Sequence, residues 1–256
     1  MAVVERDRRG NVEILTINRP EARNAINGEV SVAMSGALDE LENDKECWVV
    51  IVTGAGDRAF SAGMDLKAFA SGELGAITSA PGGFAGLTQR DFPKPIIAAV
   101  NGAALAGGCE IVLACDMVVA AEHATFGIPE VKRGLIAGAG GLTRLPRRIP
   151  VAVAIELGLT GEAIGAERAY EIGLINRVVP AEKLLEESLA LAQVIAANAP
   201  GAVRWSKRIM KASPYLSEAD SWKLVNEAVP EVFTAPDALE GAVAFAEKRP
   251  PKWQAL

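Results

Sequence analysis

Histidine is almost absent from this chain: His123 is the only one among 256 residues. A histidine-rich metal site is thereby excluded, and any Ser-His-Asp or Cys-His arrangement would have to use that single imidazole. His123 reads as a surface residue. Cysteine is nearly as scarce. Cys47, Cys109 and Cys115 are odd in number and lack paired spacing, which argues against a disulfide framework. Cys109 and Cys115 lie in apolar stretches and read as small buried hydrophobes. No uninterrupted apolar run approaches membrane-spanning length, so no membrane partner is expected. The first ten residues are charged and lack an apolar segment, so no signal peptide is visible and a cytoplasmic protein is expected. Nor is there an excess of positive charge. A formal net charge of −6 and a pI of about 5.1 speak against a nucleic-acid partner, which needs a basic surface. A local basic pocket for an anionic ligand remains compatible with that balance.

What is present is an ordinary globular composition, 50% hydrophobic and 23% charged. The length suits one domain with an appendage, or two small domains. Residues 12–18 alternate and are rich in β-branched side chains, so they predict a strand. Residues 48–53 (Trp-Val-Val-Ile-Val-Thr) form a continuous apolar run, as in a strand buried on both faces, and residues 95–100 and 117–121 repeat that character. Between the first two strands, Val30, Met34, Leu38 and Leu41 predict a helix over residues 28–43. Strands separated by helices define an α/β class. Residues 71–87, rich in Gly, Ala and Ser, read as a mobile surface segment or lid. Further on, helices are predicted over 151–159, 163–172, 181–198, 202–212, 217–228 and 237–248, with Pro200, Pro214, Pro230 and Pro236 separating several of them. The division expected is an α/β core over 1–195 and a helical region over 196–256.

The stretch richest in chemistry is Asn101-Gly-Ala-Ala-Leu-Ala-Gly-Gly-Cys-Glu110. A strand ends at Val100, small residues follow, and an apolar helical segment begins. Gly107 and Gly108 therefore fall near a helix N-terminus, where unpaired N–H groups and the helix dipole favour negative charge. That geometry suits an oxyanion hole, or simply a tight packing turn. Glu110 precedes Ile111, Val112 and Leu113, so it belongs to a helix that is apolar nearly all round. A carboxylate buried there must be ion-paired, held by the dipole, or catalytic. Glu130, in Phe126-Gly-Ile-Pro-Glu130, is another lone acid among apolar residues; alone it reads as an ordinary helix-start glutamate. Two such carboxyls facing one cavity would have their pKa values pushed apart, giving an acid and a base. The loop Phe60-Ser-Ala-Gly-Met-Asp-Leu66 could offer another backbone N–H. In it Asp65 is a candidate acid or a cap for a helix starting near Leu66.

At these residues the sequence resembles the crotonase (enoyl-CoA hydratase/isomerase) superfamily, over essentially the whole chain. The matching stretches are Asn18-Arg-Pro-Glu-Ala-Arg-Asn-Ala-Ile-Asn27, residues 59–67, 95–110 and 126–130, and Gly138-Ala-Gly-Gly141, in family order and spacing. Residues 82–88 and 238–249 look especially like carnitinyl-CoA dehydratases. The resemblance implies a core of repeated ββα turns wound into a spiral. It also implies C-terminal helices that assemble a homotrimer or hexamer, an acyl-CoA thioester substrate, and no metal or other cofactor, coenzyme A being part of the substrate.

By the same resemblance, the amides of Met64 and Gly107 would hold the thioester oxygen. Ala22, Ala62, Asp65 and Leu66 would line the coenzyme A groove, and Gly138 would help place water. Glu110 and Glu130 match the family's pair of glutamates, and having both selects the hydratase/dehydratase branch. Phe245 and Lys248 would reach the adenosine-phosphate end of coenzyme A on a neighbouring subunit. Two positions depart from the pattern: Ala106 replaces a frequent glycine and Ala137 a frequent proline. Neither removes a functional group. The implied activity is reversible hydration of a 2-enoyl-CoA. Within the fold the alternatives are a carnitinyl-CoA dehydratase or an enoyl-CoA isomerase; outside it, a non-catalytic acyl-CoA binding protein.

Overall fold

A computed structural model describes residues 2–78 and 80–254. The chain opens with a hairpin in which β1 (Val4–Arg9) pairs antiparallel with β2 (Val12–Ile17). β1 carries almost no apolar signal because it is an edge strand, exposed at every position after Val4. Its charges discourage pairing with another chain. They also allow a carboxylate to be buried on β2: Arg6 and Arg8 meet Glu13 at 2.7 and 2.5 Å.

Helix α1 (Gly28–Asn43) follows, capped by Asn27, whose side chain accepts from the Val30 amide at 3.0 Å. Val30, Met34, Leu38 and Leu41 are its buried stripe, as their spacing predicts. The chain then winds through three similar turns. The first holds β3 (Val49–Gly54), β4 (Ala59–Ser61) and the short helices α2 (Leu66–Ala70) and α3 (Leu74–Thr78). The second holds β5 (Ile96–Val100), β6 (Ala103–Leu105) and α4 (Gly107–Ala114). The third holds β7 (Met117–Ala121), β8 (Thr125–Gly127), a 3-10 turn over Pro129–Arg133 and α5 (Gly141–Arg148). Beyond them come α6 (Val151–Thr160), β9 (Ile164–Gly165), α7 (Ala166–Glu171), β10 (Arg177–Val179) and α8 (Leu184–Ala196). The chain closes with α9 (Pro200–Ala212), α10 (Glu218–Thr234) and α11 (Pro236–Glu247).

Each turn of the coil gives one strand to each of two sheets. The larger has the order β1-β2-β3-β5-β7-β10 and is parallel from β2 onward; the smaller has the order β4-β6-β8-β9. This is the expected ββα spiral. The larger sheet is buried on both faces, which is why its strands read as continuous apolar runs. One face, with Leu15, Val50, Val52, Ala98 and Val118, packs on α1 and the smaller sheet. The other, with Ile14, Ile51, Ile97 and Val119, packs on α8 through Leu184 and Ala192. Helices α9, α10 and α11 pack successively on one another. They expose Trp222, Phe233, Leu239 and Phe245.

Three sequence expectations need correction. The second half of the segment 71–87 is not on the surface. Ile77, Phe84, Ala85 and Leu87 are buried, and α1 fastens the segment through Ser31 Oγ to Ile77 O and Ser35 Oγ to Pro81 O, at 2.8 and 2.9 Å. Small residues there permit close packing on α1. The helix expected over 163–172 begins only at Ala166, because Ile164 and Gly165 are drawn into antiparallel pairing with β8. Pro230 does not separate two helices: α10 continues through it to Thr234. Proline removes one helical hydrogen bond there without ending the element.

Candidate active site

The junction of the first two turns of the spiral brings two loops together. In one, Met64 pairs with Ile26 as an isolated parallel bridge. Its hydrogen bonds run from Ile26 N to Gly63 O at 2.8 Å and from Asp65 N to Ile26 O at 2.9 Å. The bridge uses the neighbours of Met64 and turns the Met64 amide to the opposite side. In the other loop, Gly107 is the first residue of α4. A Cβ on Gly63 would lie 2.7 Å from Gly107 N, so the two loops touch there. Among the described residues, neither the Met64 amide nor the Gly107 amide donates a hydrogen bond within the protein. Two free N–H groups side by side, one at a positive helix end, can hold an oxyanion. A side chain at 107 would strike the Phe84 ring, whose Cζ stands 2.5 Å from the position its Cβ would take. Phe84 was not singled out from sequence; its role is visible only once residues 82–88 pack beneath α4.

Ala106, just before this helix, has φ 52° and ψ −129°. Glycine adopts that backbone freely and alanine does not. Replacing the frequent glycine therefore leaves every functional group in place but strains the chain where it enters the amide pair.

Glu110 follows three residues after Gly107 and is 3% exposed. Its Oε1 accepts from the Ala139 amide at 2.7 Å and from the Gly141 amide at 2.8 Å. No ion pair involves it among the described residues. Burial pushes its carboxyl above the ordinary value, while the Gly141 and Ala139 amides and the Arg144 charge oppose that rise. Gly138 adjoins this turn, and a Cβ there would meet only Ile136 O, at 3.8 Å, so it borders open space. The sequence marked the Gly138–Gly141 stretch but pointed to Gly138 alone. The small residues leading into α5 were the available signal for Ala139 and Gly141.

Glu130 sits in the Pro129–Arg133 turn and is half-buried. Its Oε2 is buried without a hydrogen-bond partner among the described residues. Burial pushes its pKa up to about 7; its own backbone amide opposes this and the Glu110 charge adds to it. The two carboxyls thus sense each other but differ in support. Glu110 is cradled by two amides, which favours the ion; Glu130 has only its own amide against its burial and the Glu110 charge, which favours the acid.

The remaining sequence candidates fall into two groups. Ala22, Ala62, Asp65 and Leu66 gather beside Met64. Ala62 N donates to Arg23 O at 3.0 Å, and Arg19 reaches Asp65 at 3.1 Å with both terminal nitrogens. Asp65 caps α2 through the Lys67 and Ala68 amides at 3.1 and 3.3 Å. Burial pushes its carboxyl up, but the Ala68 amide, Arg19 and the Lys67 amide outweigh that and hold it below the ordinary value. The cap reading therefore prevails over that of a proton donor. Leu66 is half exposed at the mouth of this group. Phe245 and Lys248 are not brought to the site. They lie at the end of α11, and among the described residues no hydrogen bond or ion pair joins that helix to the residues above. His123 is exposed, with Nε2 2.9 Å from Asp57 O. The described residues contain no group of three His, Cys, Asp or Glu side chains placed to hold a metal, and no helix long and apolar enough to cross a membrane.

This spiral of ββα turns, carrying two free amides and the carboxyls of Glu110 and Glu130, agrees with the comparisons with known proteins. Residues 7–255 match the Enoyl-CoA hydratase/isomerase family, and the chain belongs to it. It is 43% identical over 252 residues to a carnitinyl-CoA dehydratase of Salmonella typhi, covering 96% of each chain. Its structure is similar to that of an enoyl-CoA hydratase from Mycobacterium tuberculosis H37Rv, with TM-score 0.96, 48% identity and full coverage of both chains. It is also similar to a carnitinyl-CoA hydratase from Mycobacterium avium, with TM-score 0.80, 48% identity and full coverage of both.

Two predictions follow from this local chemistry. Restoring glycine in Ala106→Gly relieves about 1–3 kcal/mol of backbone strain and costs about 0.5–1 kcal/mol of chain entropy. The variant should therefore melt a few degrees higher, and an unchanged or lower Tm contradicts the strain. The second concerns Glu130. Its folded pKa lies above the ordinary value of 4.5, so the stability it contributes is full below that pH and is lost as pH rises through about 7. Glu130→Gln cannot ionise, so its Tm should gain on that of the parent between pH 5 and pH 8. Parallel Tm–pH curves would show that Glu130 is not perturbed.

Proposed function

We propose that this protein is an enoyl-CoA hydratase, adding water reversibly across the 2,3 double bond of a 2-enoyl-CoA thioester. The observation that carries this reading is the unequal pair of carboxyls, Glu110 on its two amides and Glu130 raised toward neutrality, on a scaffold that also offers two free N–H groups. Water attack at Cβ places negative charge on the thioester oxygen. The Met64 and Gly107 amides receive it, each such donor being worth roughly 3–4 kcal/mol in the transition state. Glu110, whose two amides oppose the rise that burial gives its pKa, orients and deprotonates the water. Glu130, protonated below about pH 7, delivers the proton to Cα. Dehydration of a 3-hydroxyacyl-CoA runs the same steps backward, with Glu130 as base.

Gly138 helps to place the water, and Ala22, Ala62, Asp65 and Leu66 line the coenzyme A groove, mostly through backbone. In this reading the chain works in the cytoplasm and needs no cofactor. Residues 1–195 do the chemistry and 196–256 assemble a homotrimer or hexamer. Phe245 and Lys248 then meet the adenosine-phosphate end of coenzyme A on a neighbouring subunit, Lys248 supplying charge to an anionic group.

A second reading, carnitinyl-CoA dehydratase, is favoured by one specific observation, the 43% identity to the Salmonella typhi protein of that name. Turnover of crotonyl-CoA, crotonobetainyl-CoA and a 3-enoyl-CoA, measured side by side, separates hydratase, dehydratase and isomerase. Tight coenzyme A binding with no turnover of any of them would leave a non-catalytic binder.

On the true substrate, Glu110→Gln and Glu130→Gln should each lower kcat at least about 100-fold, with much smaller effects on binding of a saturated acyl-CoA. Near-normal turnover in either variant removes that residue from the chemistry. Hydration by the parent should fall as pH rises through about 7, where Glu130 loses its proton; a rate that climbs through this window contradicts the assignment. For assembly, light scattering should give a trimer or hexamer, and deletion after Pro236 should weaken both assembly and coenzyme A affinity. A fully active monomer would overturn the oligomeric part.

A further inference from the structure

Arg144 takes no part in the chemistry above, yet its guanidinium lies behind Glu110. It projects from α5, half-buried, where Nη1 donates to Ala139 O at 3.2 Å and Nη2 donates to Thr88 O. Ala139 is the residue whose own amide holds Glu110 Oε1 at 2.7 Å. Thr88 closes the segment that carries Phe84 against Gly107. One side chain thus ties the turn that holds the carboxylate to the segment that floors the amide pair. The turn is shaped to admit it. Gly140, at φ 109°, leaves no room for a side chain because the Arg144 guanidinium occupies the place a Cβ would take. α5 itself starts at Gly141, whose amide is the second donor to Glu110.

We propose that Arg144 is a positioning residue for Glu110: by clamping the Ala139 carbonyl to the Thr88 carbonyl it fixes the turn whose two amides hold the carboxylate. The inference rests on the hydratase reading only for its kinetic consequences; the clamp itself is a matter of geometry. Glu110 has few other charged or titratable neighbours. Cys109 adjoins it on α4, Glu130 faces it from the Pro129–Arg133 turn, and Arg144 supplies the favourable charge from α5. Removing the guanidinium does two things together. It frees the Ala139–Gly141 turn, so the amides no longer stay aimed at Oε1. It also removes the nearby positive charge that opposes the burial of the Glu110 ion.

Arginine suits this place because a planar fork can bond two carbonyls at once, whereas the ammonium of lysine is a point charge on a flexible stem. Arg144→Lys should therefore keep the charge and lose the clamp, while Arg144→Met loses both.

The test uses the full-length protein with 15N labelling. In the parent, the Ala139 and Gly141 amide resonances report the titration of Glu110 and need no substrate. In Arg144→Met that inflection should move to higher pH and the two resonances should broaden or shift, with the far-ultraviolet circular dichroism unchanged. Kinetically, kcat should fall on the order of 100-fold, the loss typical of a misplaced catalytic group, with KM changed less than about threefold. The acid limb of the rate profile should move upward with the amide inflection. Arg144→Lys should fall between, with the inflection near that of the parent but kcat still reduced. Added guanidinium should restore part of the loss in Arg144→Ala. An Arg144→Met protein whose Ala139 and Gly141 amides titrate as in the parent overturns the inference, whatever its activity. If Arg144→Met does not fold, Arg144→Lys decides: full kcat there shows that no clamp is required. A parent that turns over no enoyl-CoA or 3-hydroxyacyl-CoA defeats the hydratase reading alone, because the amide titration still reports on the clamp.

Discussion

The structure turns on how a carboxyl can be accommodated inside an apolar helix. Glu110 is fully enclosed on α4, and an unpaired charge there would be untenable. Two backbone amides from a turn 29 and 31 residues further along the chain meet one of its oxygens. Backbone donors have an advantage over an arginine ion pair. They stabilise the ion without a full countercharge, so they lower its basicity less than an ion pair would, and both meet the same oxygen. Glu130 has the opposite environment, with burial but no cradle, and the Glu110 charge acts further against its ionisation. Two residues of one type are thereby given unequal environments, which is the basis of the proposed division into a base and an acid.

The spiral fold supplies that division economically. Successive turns stack short strands β4, β6 and β8 side by side, so the loops that follow them converge on one place. The loop after β4 brings Met64, the loop after β6 brings Gly107 and Glu110, and the loop after β8 brings Glu130. Close approach of backbones is what this stacking demands. Gly108 lies directly against Ser61 O, and Gly107 leaves space for the Phe84 ring. The larger sheet, buried on both faces, makes the platform rigid, and α8 covers the side away from the site. Positioning within a fraction of an ångström is then a property of packed core and not of loop chemistry alone.

Much of this was legible in the sequence, for physical reasons. Strands β3, β5 and β7 are apolar throughout because both faces are covered, and α1 shows its buried stripe at helical spacing. Glu110 and Glu130 stood out as acids among apolar neighbours, and the family likeness joined them to Met64 and Gly107. What was not legible depended on contacts distant in sequence. β1 gives no strand signal because an edge strand exposed after Val4 has no apolar face. β4, β6 and β8 are three residues long, too short for a period to register. β9 was read as the start of a helix because its pairing with β8 overrides local preference. Residues 71–87 looked like a surface lid because small residues suit both loops and tight packing, and only α1 decides between them. The hydrogen bonds of Ala139 and Gly141 are backbone bonds, which no side chain announces. Phe245 and Lys248 were placed by family likeness, and a single chain does not bring them to the site.

The measurement that bears most directly on this division of labour is a titration of the two carboxyls by 13C nuclear magnetic resonance in the resting protein, assigned with the Gln variant of each. Glu130 should titrate near pH 7 and Glu110 at lower pH, so that Glu110 is the first of the two to ionise as pH rises. If both titrate together near the ordinary carboxylate value, or Glu110 is the last to ionise, the environments do not separate acid from base and the roles assigned to the two glutamates are wrong.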